Sequence, residues 1–252
     1  MRRLAGVLAG LAMGAAQAGQ VTVSGDVLYP GTVALPAHAR LLDAVTAVQP
    51  NAQSYWLAAG WLRASLVQEQ VRLKTGVLFD LKLLERGAML EGLTQRAAIA
   101  RRVYQWVAQL PVTGRQVAVL DPVALEVGFA RNDRVEEGDR LVYPRRSGVV
   151  QVMGAVARPC RLPYQPLLQA RDYLRDCPAL VDADPDDLWL IQPDGHVRRI
   201  GAAAWNRESA AVLADGGTLW VPIRTDDLDV PVPELNQQLT EFLATQLAEV
   251  AP

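Results

Sequence analysis

A ten-residue pattern of valines, a glycine and a proline occurs twice in this chain, and that repetition constrains the fold more than any other feature. Val21-Thr-Val-Ser-Gly25-Asp-Val27-Leu-Tyr-Pro30 returns as Val150-Gln-Val-Met-Gly154-Ala-Val156-Ala-Arg-Pro159, each matched position recurring 129 positions later. Both copies run on through Leu35-Pro36 or Leu162-Pro163 into a short helical pattern, Leu41 to Val48 or Leu167 to Arg175. Both close on a glycine turn and a strand ending in proline: Glu137-Gly138-Asp139-Arg140-Leu141-Val142-Tyr143-Pro144, and Asp215-Gly216-Gly217-Thr218-Leu219-Trp220-Val221-Pro222. Repetition of one supersecondary unit predicts two copies of one small module. In the second copy, strands are expected at Leu188 to Gln192, His196 to Ile200 and Thr218 to Pro222. Pro193-Asp194-Gly195 supplies the hairpin turn between the first two.

The closing motifs stand 78 positions apart (Pro144 and Pro222), so the first copy carries about 51 residues more than the second. The excess falls between Asn51 and Leu110. There Tyr55, Trp56, Trp61 and Leu62, then Leu81, Leu84, Val103 and Val107, follow helical spacing, among residues that favour helix. A helical insertion is expected. Another helix, of about 18 residues, opens at Pro233-Glu234 and gathers Leu235, Leu239, Phe242, Leu243, Leu247 and Val250 on one face. That face fits docking on its own module, or association with a partner or second copy. The expected divisions are a leader over 1–18, a first module over 19–147 with its insertion at about 51–110, a second module over 148–225, and a C-terminal amphipathic helix over 226–252.

Residues 1–18 read as a secretory signal peptide. Met1-Arg2-Arg3 is basic, Leu4 to Ala16 is apolar, and Ala16-Gln17-Ala18 is a cleavage site of small residues. Gly19 follows where a lipid-anchored protein would place cysteine. No later stretch reaches the roughly 20 apolar residues of a membrane span, so the mature product is expected to be soluble and exported. Cys160 and Cys177 are then either a disulfide in an oxidising compartment or two small buried side chains.

Without Arg2 and Arg3, 23 basic residues face 27 acidic ones, a formal charge of −4. That balance argues against nucleic acid, which demands a basic footprint. Arg101-Arg102, Arg145-Arg146 and Arg198-Arg199 read as solvated faces. No hydrolase elbow, phosphate loop, dinucleotide fingerprint or H-E-x-x-H occurs, so neither an enzyme nor a cofactor is expected. His38 and His196 are surface residues and too few for a histidine zinc site. The run Asp182 to Asp187 fails as a calcium loop, because Asp187 stands where glycine is needed and Pro193 where glutamate is needed; it reads as a helix-capping acidic turn. Glu136, Glu137 and Asp139 read as solvated acids of a glycine turn, not as a facing glycosidase pair. Tyr55, Trp56, Trp61 and Trp106 have the chemistry to stack on sugar rings, but core packing is favoured for them, as for Trp189, Trp205 and Trp220.

A hairpin, a crossing helix and a return strand resemble a β-grasp module, which makes the expected fold class α+β. The opening V-x-G-x-V-x-x-P and closing G-D-x-x-x-x-P resemble the soluble-ligand-binding β-grasp (SLBB-like) repeats of bacterial polysaccharide export proteins. Further segments carry a narrower likeness: Tyr55-Trp56, Leu73-Lys74-Thr75-Gly76-Val77-Leu78, Leu110-Pro111-Val112-Thr113-Gly114-Arg115, Leu120-Asp121-Pro122, and the junction Val142-Tyr143-Pro144-Arg145-Arg146-Ser147-Gly148-Val149. In this order they are similar to the GfcC-like capsule and exopolysaccharide biosynthesis family. Ser147 departs from the family's usual proline, and Cys160 is unusual in the second strand.

The resemblance implies two β-grasp (SLBB-like) modules, the first with a helical insertion, and a C-terminal amphipathic helix. It implies a non-enzymatic periplasmic accessory protein of capsule or exopolysaccharide assembly and export, binding glycan or the outer-membrane export machinery. A glycan-processing enzyme and a purely structural scaffold subunit are the alternatives. It also implies that Arg115 lies in a pocket between insertion and module, where a guanidinium fork suits the carboxylates or phosphates of acidic glycans. The competing roles for Arg115 are a salt bridge with Asp121 or a cap on helix carbonyls.

Overall fold

The computed structural model describes residues 19–226, 228–229 and 231–247. The expected leader and the last residues of the expected C-terminal helix lie outside the described residues. The fold is mixed α+β, with two five-stranded sheets and several helices. The first sheet contains β1 (Gly19–Gly25), β2 (Gly31–Leu35), β3 (Gly60–Leu62), β4 (Arg115–Gln116) and β5 (Arg140–Tyr143), in the order β2-β1-β5-β3-β4. The second contains β6 (Val149–Gly154), β7 (Cys160–Pro163), β8 (Asp187–Ile191), β9 (Val197–Gly201) and β10 (Thr218–Val221), in the order β7-β6-β10-β8-β9. The two orders correspond strand for strand. In each sheet the opening hairpin is antiparallel, and the last strand returns parallel to the first.

The repeated glycine has a steric reason. Gly25 and Gly154 have φ of 94° and 100°, and a Cβ on either would lie 2.1 Å from a carbonyl oxygen, of Tyr143 or of Val221. The same oxygens accept from the next amide, Asp26 N at 2.7 Å and Ala155 N at 2.9 Å. Only glycine lets the first strand turn away so close to the end of the return strand.

The insertion is helical over α2 (Val67–Leu90) and α3 (Thr94–Gln109). Its expected beginning is different: Trp61 and Leu62, read as helical, belong to β3, which pairs with β5 through Trp61↔Leu141. Pairing with a central strand outweighs a spacing that suits helix and short strand alike. The helices therefore occupy the β3–β4 connection, at the place where the second sheet has the tight turn between β8 and β9.

The packing crosses the boundary that chain order suggests. α1 (Leu41–Val48) and α4 (Pro122–Glu126) cover the first sheet, whose core includes Val23, Leu41, Trp61, Leu120 and Tyr143. α2 and α3 instead join the core of the second sheet, where Leu81, Leu84, Val103 and Val107 pack with Val152, Leu190 and Trp220. Arg102 reinforces this junction by donating to the carbonyls of Gly154, Val156 and Ala157.

The second module's crossing segment is a 3-10 helix over Ala170–Arg175, not a helix from Leu167. Leu167 has φ 63°, left-handed backbone from which a right-handed helix cannot start. Cys177, just beyond, is disulfide-bonded to Cys160 on β7, with the Cα atoms 6.2 Å apart.

α5 (Leu235–Ala244) is shorter than the expected C-terminal helix. Leu235, Leu239 and Phe242 are fully buried in the same core as α2 and the second sheet. These residues of the apolar face are thus covered within the chain, while Val250 of the expected face lies outside the described residues. Asn236 fixes the docking by accepting from Trp220 Nε1 at 3.2 Å and from Ile223 N at 3.0 Å.

Candidate functional site

Arg115 opens β4, where the chain returns from α3 to the first sheet. Gly114 has φ 73°, and a Cβ there would meet the Arg63 carbonyl oxygen at 2.2 Å, so only glycine permits this path. Gln70 of α2 braces the turn: its Oε1 accepts from Gly114 N at 2.8 Å, and its Nε2 donates to Arg115 O at 2.9 Å. The Arg115 side chain consequently points into the interior, and the residue is only 4% exposed.

Its guanidinium is directed at main-chain carbonyls from three parts of the chain. Nη1 donates to Gln246 O at 2.8 Å and Ala244 O at 3.3 Å; Nη2 donates to Pro193 O at 2.6 Å and Ala59 O at 3.4 Å. Burial pushes its pKa down to about 10, opposed by Asp194, and the group remains cationic at neutral pH. Of its four acceptors only Ala244 O, at the end of α5, belongs to a helix, so the role of a helix cap is met in part. Asp121 instead caps α4 by accepting from Val123 N. The same contacts account for the early end of α5. Ala244 O and Gln246 O turn to Arg115, and Thr245 O accepts from Thr113 Oγ1 at 2.7 Å.

Beside the guanidinium is a cavity of about 40 Å³, lined by Trp106, Gln151, Met153, Leu243 and Gln246 among others. Three of its lining residues carry a buried polar atom without a partner: Arg115 Nε, Trp106 Nε1 and Gln246 Oε1. Two donors and one acceptor around so small a space suit water or a single polar substituent. The volume is far below the roughly 300 Å³ at which small-molecule sites begin. Arg115 is expected from the family resemblance; Gln151 and Gln246 carry no such signal in the sequence, because their approach depends on long-range packing.

The other candidate groups are engaged structurally. Asp139 is buried, accepts from Trp61 Nε1 at 2.8 Å and Glu136 N at 2.9 Å, and lies 3.6 Å from Arg63 Nε. Burial raises its pKa above the usual carboxylate value. Asp139 is therefore not the solvated acid expected. Glu136 pairs with Arg63 at 2.6 Å.

The acidic run leads into strand β8, whose first residue is Asp187, and caps none of the described helices. Asp184 Oδ1 accepts from Asp186 N and Asp187 N, Asp182 pairs with Arg96 at 3.2 Å, and Asp187 pairs with Arg199. Among the described residues, no three His, Cys, Asp or Glu side chains are grouped to hold a metal ion. No described helix is long and apolar enough to cross a membrane.

Trp61 and Trp220 are fully buried, but Trp56 is 41% exposed and Trp205 is 77% exposed, both contrary to their assignment to the core. The Trp205 loop folds back on Asp186, whose carboxylate accepts from Trp205 Nε1 at 3.0 Å and whose carbonyl accepts from Ala202 N and Asn206 Nδ2. Those bonds leave the ring outside.

Residues 16–144 match the family model described as "Capsule biosynthesis GfcC, N-terminal", and residues 158–248 match "Capsule biosynthesis GfcC C-terminal". The chain is 24% identical over 197 residues to the uncharacterized protein YjbG of Escherichia coli K12, covering 77% of this chain and 79% of that protein. It is also 23% identical over 215 residues to the polysialic acid transport protein KpsD of Escherichia coli, covering 84% of this chain but only 37% of KpsD.

Proposed function

The chain belongs to the GfcC capsule-biosynthesis family, and from that premise we propose that it is a non-enzymatic periplasmic accessory protein of capsule or exopolysaccharide assembly and export. It would contact the exported glycan or dock on the outer-membrane export machinery. The observation that carries this reading is the pair of family matches, one on each half of a chain built from two sheets of the same strand order. Similarity of most of this chain to part of a polysialic acid transport protein supports the export side of it.

We read each sheet with its crossing helical segment as a β-grasp, SLBB-like module, divided at about residue 147, with 1–18 as the export leader. The parallel return of the last strand beside the first supports that reading. Engagement of Asp139 and Glu136 with Arg63 and Trp61 favours an accessory role over glycan hydrolysis, because hydrolysis needs two carboxyls free to face a sugar. Arg115 would serve a ligand only by offering its small cavity to one polar substituent, since its terminal nitrogens already hold carbonyls.

Deleting the gene from its own capsulated host tests the proposal. Surface polysaccharide should fall sharply, with the material retained inside the envelope keeping its normal chain length. Unchanged surface polysaccharide would sink the proposal, and altered chain length would replace it with a glycan-processing role.

A further inference from the structure

A second and larger cavity, of about 260 Å³, lies where the two modules meet. Its walls come from Pro144–Ser147 of the linker, from Tyr55 and Ala58 before β3, from Arg161 on β7 and from Gly216 before β10. Arg145, Arg146 and Arg161 all line it, and no acidic residue does. This concentration of positive charge occurs in a chain with more acidic than basic residues. It also changes the reading of Arg145-Arg146 as merely a solvated face.

The nearby carboxylates are already committed. Asp26 accepts from Asn51 Nδ2 at 2.8 Å and pairs with Arg145 at 3.3 Å, which together hold its pKa below the usual value. Asp215 accepts from Ser147 Oγ at 2.9 Å and Gly148 N at 2.8 Å, fixing the linker. Neither Arg146 nor Arg161 forms an ion pair with any described carboxylate. Arg146 is nonetheless oriented, with its guanidinium 4.3 Å from the ring centre of the buried Tyr55. Tyr55 N is in turn anchored to Pro144 O at 2.8 Å.

We infer that this cleft binds the carboxylate of an acidic sugar residue within a glycan chain, with Arg146 and Arg161 as its cationic ligands. The inference rests on the reading that the protein contacts exported glycan. Guanidinium groups bind planar carboxylates through charge-assisted hydrogen bonds. Ala58 and Pro144 add an apolar wall suited to the C–H face of a sugar ring, which inorganic anions lack. The volume is close to the lower end of small-molecule sites, roughly 300 Å³, and suits one sugar residue of a chain that continues outside. A residue seated here would touch both modules and their linker at once.

The test is titration of the mature protein with hexagalacturonate, with neutral maltohexaose, and with inorganic phosphate and sulfate, by calorimetry and amide shifts. Saturable binding of hexagalacturonate is expected, weakened by salt and by about tenfold for each guanidinium removed in Arg161→Ala and Arg146→Ala. Arg161 makes no ion pair among the described residues, so unchanged melting of Arg161→Ala would separate lost binding from lost folding. Equal affinity of the variants would overturn the site while leaving glycan contact standing. Equal binding of phosphate or sulfate would reduce it to a general anion patch, and preference for maltohexaose would remove the carboxylate from the argument. If no glycan binds the wild type, the inference falls, whereas the export role is judged separately by the deletion strain.

Discussion

Arg115 is a cation surrounded by carbonyl dipoles, and each of its four acceptors belongs to a different stretch of chain from its own. Removing it leaves buried carbonyl oxygens without a donor, at a cost of roughly 1–3 kcal/mol for each group left unsatisfied. We expect Arg115→Ala to lower stability by about 3 kcal/mol in urea unfolding. Arg115→Lys should recover little, because one ammonium cannot reproduce a fork that reaches Ala244, Gln246, Pro193 and Ala59 together. A loss below about 1 kcal/mol in the alanine variant would mean that the clasp is dispensable. Arg115 is picked out by the family resemblance, and the structure adds the reason that Gly114 beside it must be glycine. The acceptors of Arg115 could not be picked out, since carbonyls carry no sequence signature. Trp205 was misjudged for the same kind of reason: its hydrophobicity pointed inward, while a bond from its indole to Asp186 holds the ring at the surface.

Among the elements, the repeated glycine was legible as a pattern before its cause was known. Gly25 and Gly154 do equivalent work at the ends of β1 and β6, each held against the last residue of a return strand. Gly138 makes a useful contrast: its φ is 83°, but a Cβ there would have open space around it. Gly138→Ala should therefore cost about 1 kcal/mol from backbone strain alone. Gly25→Ala and Gly154→Ala should each cost clearly more, because a methyl 2.1 Å from a carbonyl oxygen forces the strands apart. Equal melting temperatures for the three variants would refute the steric account. Long helices such as α2 and α3 were also legible, because many turns of apolar spacing reinforce one another. The three residues of β3 were not, since so short a strand is decided by its neighbours, and α5 ended early because Arg115 and Thr113 claim its last carbonyls.

For the whole molecule, the main lesson is that chain order and packing disagree. The helices inserted into the first sheet's connection share a core with the second sheet, while the first sheet has a core of its own. The sequence revealed the insertion by its length, but not its packing partner, because hydrophobic faces do not name what they pack against. Leu84 is fully buried within the shared core. We expect Leu84→Ala to speed amide exchange in β6, β8 and β10 together with α2, and to leave β1 and β5 nearly unchanged. Faster exchange in β1 and β5, with β6 protected, would show that the helices stabilise their own sheet instead.

This partition also sets an order of assembly for a chain that emerges N-terminus first into the compartment where it folds. Once Tyr143 has emerged, the first sheet has every strand it needs, yet α2 and α3 still have no surface to cover. Their apolar sides must wait for residues 149–221 and for α5, at least a hundred positions downstream of Thr94's helix in the case of α5. The half-made protein is thus a finished sheet carrying a sticky helical hairpin, the stage at which a chaperone or a neighbouring nascent chain would most readily take hold of it.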